Sequence, residues 1–80
     1  MNLMCVSEKH GYLILAVQYE LLVYELDTLT AEVKNLVCQI DLQNDRQEIN
    51  NISLVTCAET DFVAIVDFGA NVRMVYLDDL

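Results

Sequence analysis

Short apolar runs separated by polar turns follow one another along the chain. Residues 12–17 form a continuous apolar run after Gly11, and residues 21–26 form a second run after only three linking residues. Runs of strand-forming residues joined by so short a link are typical of a β-hairpin. A preceding strand is predicted over residues 3–6. Because these runs are apolar at nearly every position, we expect both faces of the strands to be buried.

The C-terminal third of the chain repeats this pattern. Strands are predicted over residues 52–57, 62–66 and 72–77, because each is a short run of apolar and β-branched residues. A polar turn over residues 58–61 joins the first two strands, and residues 67–71 join the last two. The second half therefore predicts an antiparallel meander of the same kind as the first half.

The hairpin turn before the last strand has its own chemistry. Gly69 and Asn71 suit backbone positions with positive φ, which hairpin turns often require. Asp67 is expected to hold the turn by accepting hydrogen bonds from backbone N–H groups. We predict a structural role for Asp67 and Gly69 in the repeat.

The middle of the chain supports two interpretations. Leu29, Val33 and Leu36 recur at steps of three or four, which allows a helix over residues 28–39 in a small α+β fold. The alternative function that goes with this fold is an adaptor or dimerisation subunit. The stretch 36–42 also alternates as a half-buried strand does. We favour a loop followed by a strand, because the repeat described next requires a fourth strand here.

The two halves align as a repeat. Residues 12–17 lie over residues 62–67 at a shift of 50, and residues 22–24 lie over residues 74–76 at a shift of 52, so that Tyr24 matches Tyr76. We predict that these two tyrosines have equivalent structural positions. A period near 40–50 residues with four strands per unit is typical of propeller blades. The pattern predicts an all-β fold of about two antiparallel four-stranded propeller-like blades.

The domain boundaries follow from the repeat. We predict one partial domain over residues 1–80, with unit one at 1–42, a polar loop at 43–48, and an incomplete unit two at 49–80. Two blades cannot close a ring, and uncovered sheet faces associate. The chain is therefore expected to be a fragment of a larger propeller, with missing blades or self-association covering its faces.

A family resemblance follows from these motifs. Residues 23–26 (V-Y-E-L) resemble the V-W-D-L ending of WD40 strands, although the chain lacks tryptophan and the Gly-His dipeptide of that family. It therefore resembles a divergent WD40-like propeller. Residues 48–67 and 72–76 are similar to the N-terminal propeller of a fungal family named for constitutive transcription of ribonucleotide reductase genes. The resemblance implies a scaffold in transcriptional regulation, in the nucleus or cytoplasm, and no catalytic residues.

Charge and composition narrow the class of partner. The net charge is −9, from 13 acidic and 4 basic residues, and 55% of the residues are hydrophobic. Binding to phosphate backbones requires clustered Lys and Arg, so the charge argues against nucleic acid and against anionic membrane surfaces. No apolar run is long enough to cross a membrane. We expect protein partners.

The cysteines and the single histidine predict no reactive site. The chain has three cysteines, Cys5, Cys38 and Cys57. Their number is odd, their spacing matches no zinc site, and each lies among apolar residues. They are predicted to be free and buried in a reducing compartment, and no metal or cofactor is expected. His10 has no partner at a spacing typical of acid–base or nucleophilic catalysis. We expect no enzymatic activity.

The polar turns are the predicted contact sites for a protein partner. One turn contains Lys9 and His10, and the other contains Glu59, Thr60 and Asp61. Loops that join strands lie at the surface and carry much of the binding function of β-proteins.

Overall fold

The computed structural model describes residues 1–42 and 47–80, and these residues form two antiparallel sheets. The N-terminal sheet has the order β1-β2-β3-β4, and the C-terminal sheet has the order β5-β6-β7. The elements are β1 (Met4–Ser7), β2 (Tyr12–Val17), β3 (Glu20–Asp27), β4 (Glu32–Asp41), β5 (Ile49–Cys57), β6 (Thr60–Asp67), β7 (Val72–Tyr76) and a 3₁₀ turn (Leu77–Asp79).

The all-β prediction is confirmed, and the helix over residues 28–39 is wrong. This stretch instead forms the turn before β4 and most of β4, a ten-residue strand that pairs with β3. Pairing gives the backbone groups of β4 that face β3 their hydrogen-bond partners, and this outweighs the weak helical spacing. Within the described residues, unit two, which is predicted to be incomplete, has three strands. Residues 43–46 of the predicted loop lie outside the described residues.

The turn between β5 and β6 is tighter than predicted. Only Ala58 and Glu59 lie outside the strands, and both have positive φ, at 52° and 66°. Two positive φ values match the turn that suits the right-handed twist of a two-residue hairpin. Thr60 and Asp61 therefore belong to β6 rather than to the turn.

The turn between β6 and β7 is held by Asp67, as predicted. Asp67 Oδ1 accepts hydrogen bonds from the backbone N–H groups of Gly69, at 2.8 Å, and Asn71, at 3.0 Å. The predicted positive φ falls on Ala70, at 62°, and not on Gly69 or Asn71. Glycine suits position 69 because a side chain there would be crowded. A Cβ atom on Gly69 would lie 3.1 Å from the Asn71 side chain.

The core lies between the two sheets. Each sheet buries one face, here called its inner face, because side chains alternate between the two faces of a strand. The buried apolar residues are Ile14, Ala16, Leu21, Val23, Leu42, Ile49, Ile52, Val63, Ile65 and Leu77. The prediction that both faces of each strand are buried is wrong, because each outer face is apolar but partly exposed.

The outer faces are defined by the strand register. The N-terminal outer face consists of Met4, Val6, Leu13, Leu15, Leu22 and Tyr24. The C-terminal outer face consists of Phe62, Ala64, Val66, Val72, Met74 and Tyr76. Phe62 and Tyr76 pack edge to face there, with ring centroids 5.0 Å apart.

The strand register also corrects the alignment of the two tyrosines. Tyr24 pairs with Leu13, and a shift of 50 residues places Leu13 over Val63. Val63 pairs with Val75, so Tyr24 corresponds to Val75 and not to Tyr76. In the sequence alignment, the shift between the two halves increases by two residues from β2 to β3. The strand pairing requires an increase of only one residue.

Candidate functional site

The two predicted contact turns lie side by side at one end of the molecule. Lys9 Nζ, in the β1–β2 turn, donates a hydrogen bond to the backbone carbonyl of Glu59, in the β5–β6 turn. Both residues are exposed. Fifty positions of sequence separate them, and strands β1 and β5, which end there, pack against each other. The fold thus joins the predicted turns into one surface.

A buried polar contact fixes this end of the sheets. Ser7, the last residue of β1, is 0% exposed, and its Oγ donates a hydrogen bond to Asp61 Oδ2 at 2.9 Å. Thr56 Oγ1 donates to the other carboxylate oxygen, Oδ1, at 2.6 Å. Ser7 and Asp61 face inward because each is spaced by two residues from positions on its sheet's inner face. The contact ties β1 of one sheet to β6 of the other.

His10 extends this contact to the end of the chain's last strand. Its ring stacks on Tyr12 with centroids 5.7 Å apart, and its Nδ1 lies 3.0 Å from Ser7 Oγ. Its Nε2 lies 2.7 Å from Oδ1 of Asp78, in the 3₁₀ turn that follows β7. We call the group formed by Ser7, His10, Thr56, Asp61 and Asp78 the inter-sheet clasp.

Both ring nitrogens of His10 take part in the hydrogen bonds of the clasp. The single hydroxyl proton of Ser7 is donated to Asp61, so Ser7 Oγ accepts from His10 Nδ1. The carboxylate of Asp78 accepts from Nε2. The His10 ring thus connects Ser7, at the end of β1, with Asp78, in the turn after β7.

The carboxylates of the clasp are stabilised in their ionised form. The hydrogen bond from Thr56, and then the one from Ser7, lowers the pKa of Asp61 below its usual range. The hydrogen bond from His10 likewise lowers the pKa of Asp78. Hydrogen bonds donated to a carboxylate favour the charged form and so hold the proton off. The contribution of these hydrogen bonds to folding is therefore greatest while both carboxylates are ionised.

Serine, histidine and aspartate are also the components of a nucleophilic triad, but their geometry here is different. A nucleophilic serine is exposed and gives its proton to the histidine. Ser7 is fully buried, and it gives its proton to Asp61. The arrangement is unfavourable for attack on a substrate and suited to holding two sheets together.

The cysteines are free, as their number predicted, but they are not all buried. Cys5 and Cys38 are half-buried, and burial raises the pKa of Cys5 to about 11. Cys57 is exposed, contrary to prediction, because it is the last residue of β5 and stands at the tight turn. Among the described residues, no group of three or more His, Cys, Asp or Glu side chains is placed to hold a metal ion.

The structure divides the predicted contact residues into two kinds. Lys9 and Glu59 are exposed and Thr60 is half-buried, so their side chains are accessible to a partner. Asp61 is only 4% exposed and the His10 side chain only 14%, and both belong to the clasp.

Sequence reasoning missed Ser7, Thr56 and Asp78 as partners of His10 and Asp61. One signal was present for Ser7 and Asp61. Ser7 ends an apolar strand, two residues after the half-buried Cys5, and Asp61 stands near the start of β6, two residues before the buried Val63. Such a residue requires a hydrogen-bond partner, although the sequence does not say which.

No helix within residues 1–42 and 47–80 has the length and apolar character to cross a membrane. Comparison with protein-family models, with curated proteins and with solved structures gives no match to this chain.

Proposed function

We propose that this chain is a non-catalytic protein-interaction module whose contact surface is formed by the β1–β2 and β5–β6 turns. The observation that carries the proposal is the inter-sheet clasp, which fixes these turns side by side. Preorganised turns lose little conformational freedom when a partner binds, and this favours affinity. Lys9 and Glu59 present a positive and a negative group on that surface.

We further propose that the two sheets are adjoining blades of a divergent WD40-like propeller. In support, the first strands of the two sheets lie beside each other, and the Ile52 N–H donates a hydrogen bond to the Asn2 carbonyl at 2.8 Å. The Asn2 side chain returns a bond to the Ile52 carbonyl at 3.1 Å. Consecutive four-stranded sheets whose first strands adjoin are the arrangement around a propeller axis.

The proposed setting is transcriptional regulation in the nucleus or cytoplasm, through the resemblance to the fungal ribonucleotide-reductase regulators. The net charge of −9 disfavours direct contact with DNA. The module would then act on transcription by binding another protein. A partner that faces Lys9 with acidic groups fits this surface.

The first test is a charge reversal on the turn surface. Lys9→Glu is expected to weaken binding of a protein partner by roughly tenfold or more, because like charges then oppose each other across the contact. The measurement compares proteins retained from cell extract by the wild-type chain and by the variant, followed by calorimetry with each purified candidate.

The matched control is Lys34→Glu, which makes the same charge change at an exposed position on β4. Circular dichroism checks that both variants keep the wild-type β spectrum. Retention of the same proteins with unchanged affinity by Lys9→Glu would contradict the proposed surface.

A further inference from the structure

The two sheets pack through faces that do not correspond to each other in the repeat. In the strand register, Ile14 pairs with Val23, and Ala64 pairs with Met74. The repeat therefore places Ile14 over Ala64 and Val23 over Met74. Ile14 and Val23 are fully buried on the inner face of the N-terminal sheet. Their counterparts lie on the C-terminal outer face, which is open.

The converse holds for the other pair of faces. Val63 and Ile65 are buried on the inner face of the C-terminal sheet, at 0% and 3% exposure. The same superposition places them over Leu13 and Leu15, which lie on the N-terminal outer face. In the repeat, the outer face of each sheet thus corresponds to the inner, buried face of the other sheet.

Both outer faces have the chemistry of a buried contact. On the C-terminal outer face, Val72 is 70% exposed and Met74 is 49% exposed. On the N-terminal outer face, Met4 is 51% exposed and Val6 is 37% exposed. Contiguous exposed apolar surface of this kind marks an interaction site on a soluble protein.

We infer that the C-terminal outer face of one copy of this chain binds the N-terminal outer face of a second copy. This contact repeats, between two molecules, the contact that already joins the two sheets within one molecule. It is heterologous, meaning that the two partners use different surfaces, and such contacts give rings when the rotation closes and filaments when it does not. The inference rests on sheet packing and does not depend on the turn surface proposed above.

The charge of the chain sets the conditions for this assembly. Each copy carries a net charge of −9, so two copies repel each other at low ionic strength. Salt screens that repulsion, whereas it does not weaken an apolar contact. Association should therefore strengthen as salt is added.

The direction of the contact is tested with two matched variants, Met4→Glu and Met74→Glu, each of which places a carboxylate on one outer face. Sedimentation equilibrium of the wild-type chain is expected to show self-association at concentrations up to roughly 1 mM. Each variant alone is expected to be monomeric, with association weakened at least about 30-fold, because an unpaired charge must be buried at the contact. An equal mixture is expected to form a one-to-one complex and nothing larger, since each variant keeps the face that the other lacks.

The control is Leu29→Glu, at a 95% exposed position in the β3–β4 turn, which should associate as the wild type does. A wild-type chain that stays monomeric would overturn the inference. So would a single variant that still associates alone, because that result indicates a contact between two identical faces. Circular dichroism confirms folding of each variant. Met→Lys at the same positions replaces any variant that has lost its β spectrum.

Discussion

Ile52→Ala is expected to lower the free energy of unfolding by about 2–5 kcal/mol, the largest effect of any single truncation considered for this chain. Ile52 is 0% exposed and belongs to β5, the strand that packs against both β1 and β2. Removing its side chain leaves a cavity at the place where the two sheets meet. A domain of this size has a total stability of only about 4–12 kcal/mol, so the loss is a large fraction of it.

Urea unfolding followed by circular dichroism measures this effect on dilute protein. Thermal unfolding should show a fall of roughly 4–8 °C in Tm for each kcal/mol lost. The control is Leu29→Ala, a similar truncation at a 95% exposed position, which should change stability by less than about 0.5 kcal/mol. Equal effects of the two substitutions would mean that Ile52 does not lie in a core between the sheets.

Ser7→Ala is expected to destabilise the chain by about 1–3 kcal/mol, although it removes only one oxygen atom. The reason is that Ser7 is fully buried and contacts both Asp61 and His10. Without the hydroxyl group, the Asp61 carboxylate and the His10 ring each lose a hydrogen-bond partner at a position shielded from water. Ser53→Ala, at an exposed serine on β5, is the matched control and should change stability by less than about 0.5 kcal/mol.

The clasp also predicts the direction of the pH dependence. The pKa values of Asp61 and Asp78 are lowered in the folded chain, so the unfolded chain binds protons more readily at these groups. Their contribution is therefore fully present above the ordinary carboxyl pKa of about 4, and it is lost as the pH falls through the lowered folded values. Ser7→Ala removes one cause of the lowered pKa of Asp61 and should flatten the acid side of the stability curve.

The pH test compares urea midpoints of the wild type, Ser7→Ala and Ser53→Ala from neutral pH down to acid. The wild type and the Ser53 variant should lose stability in parallel on acidification, and Ser7→Ala should lose less. Three parallel curves would show that Ser7 does not act on Asp61.

The strands could be predicted because each is a compact apolar run between polar turns. The runs at residues 12–17 and 62–66 are found in β2 and β6, with ends within two residues of the prediction. The strand at β4 followed from the repeat, against a helical spacing of Leu29, Val33 and Leu36. Local pattern was sufficient for β2 and β6, whereas β4 required the repeat to decide between a helix and a strand.

The register of the sheets could not be predicted in the same way. The sequence alignment matched Tyr24 with Tyr76 because both are tyrosines. The register of the two sheets instead matches Tyr24 with Val75. A one-residue change in register moves a side chain to the opposite face, so the error also concealed which faces are buried. The sequence therefore indicated that both faces of each sheet are apolar. It did not indicate that only one face of each sheet is buried.

The clasp could not be predicted from the sequence, because its contacts join distant parts of the chain. Ser7 and Asp61 are 54 positions apart, and His10 and Asp78 are 68 positions apart. Nothing in the spacing of these residues indicates that they meet. His10 was correctly placed in a turn, but its two ring contacts depend on how the sheets dock.

The two sheets form one body, with β1 docked against β5. The most direct measurement is amide hydrogen exchange of Ile52 by NMR on dilute protein, because this N–H donates to the Asn2 carbonyl across the two sheets. We predict that it exchanges only through global unfolding, with the same opening free energy as the slowest amides of the β2–β3 hairpin. Exchange at the rate of an unprotected amide, while both hairpins stay protected, would contradict the account, because the sheets would then fold without docking.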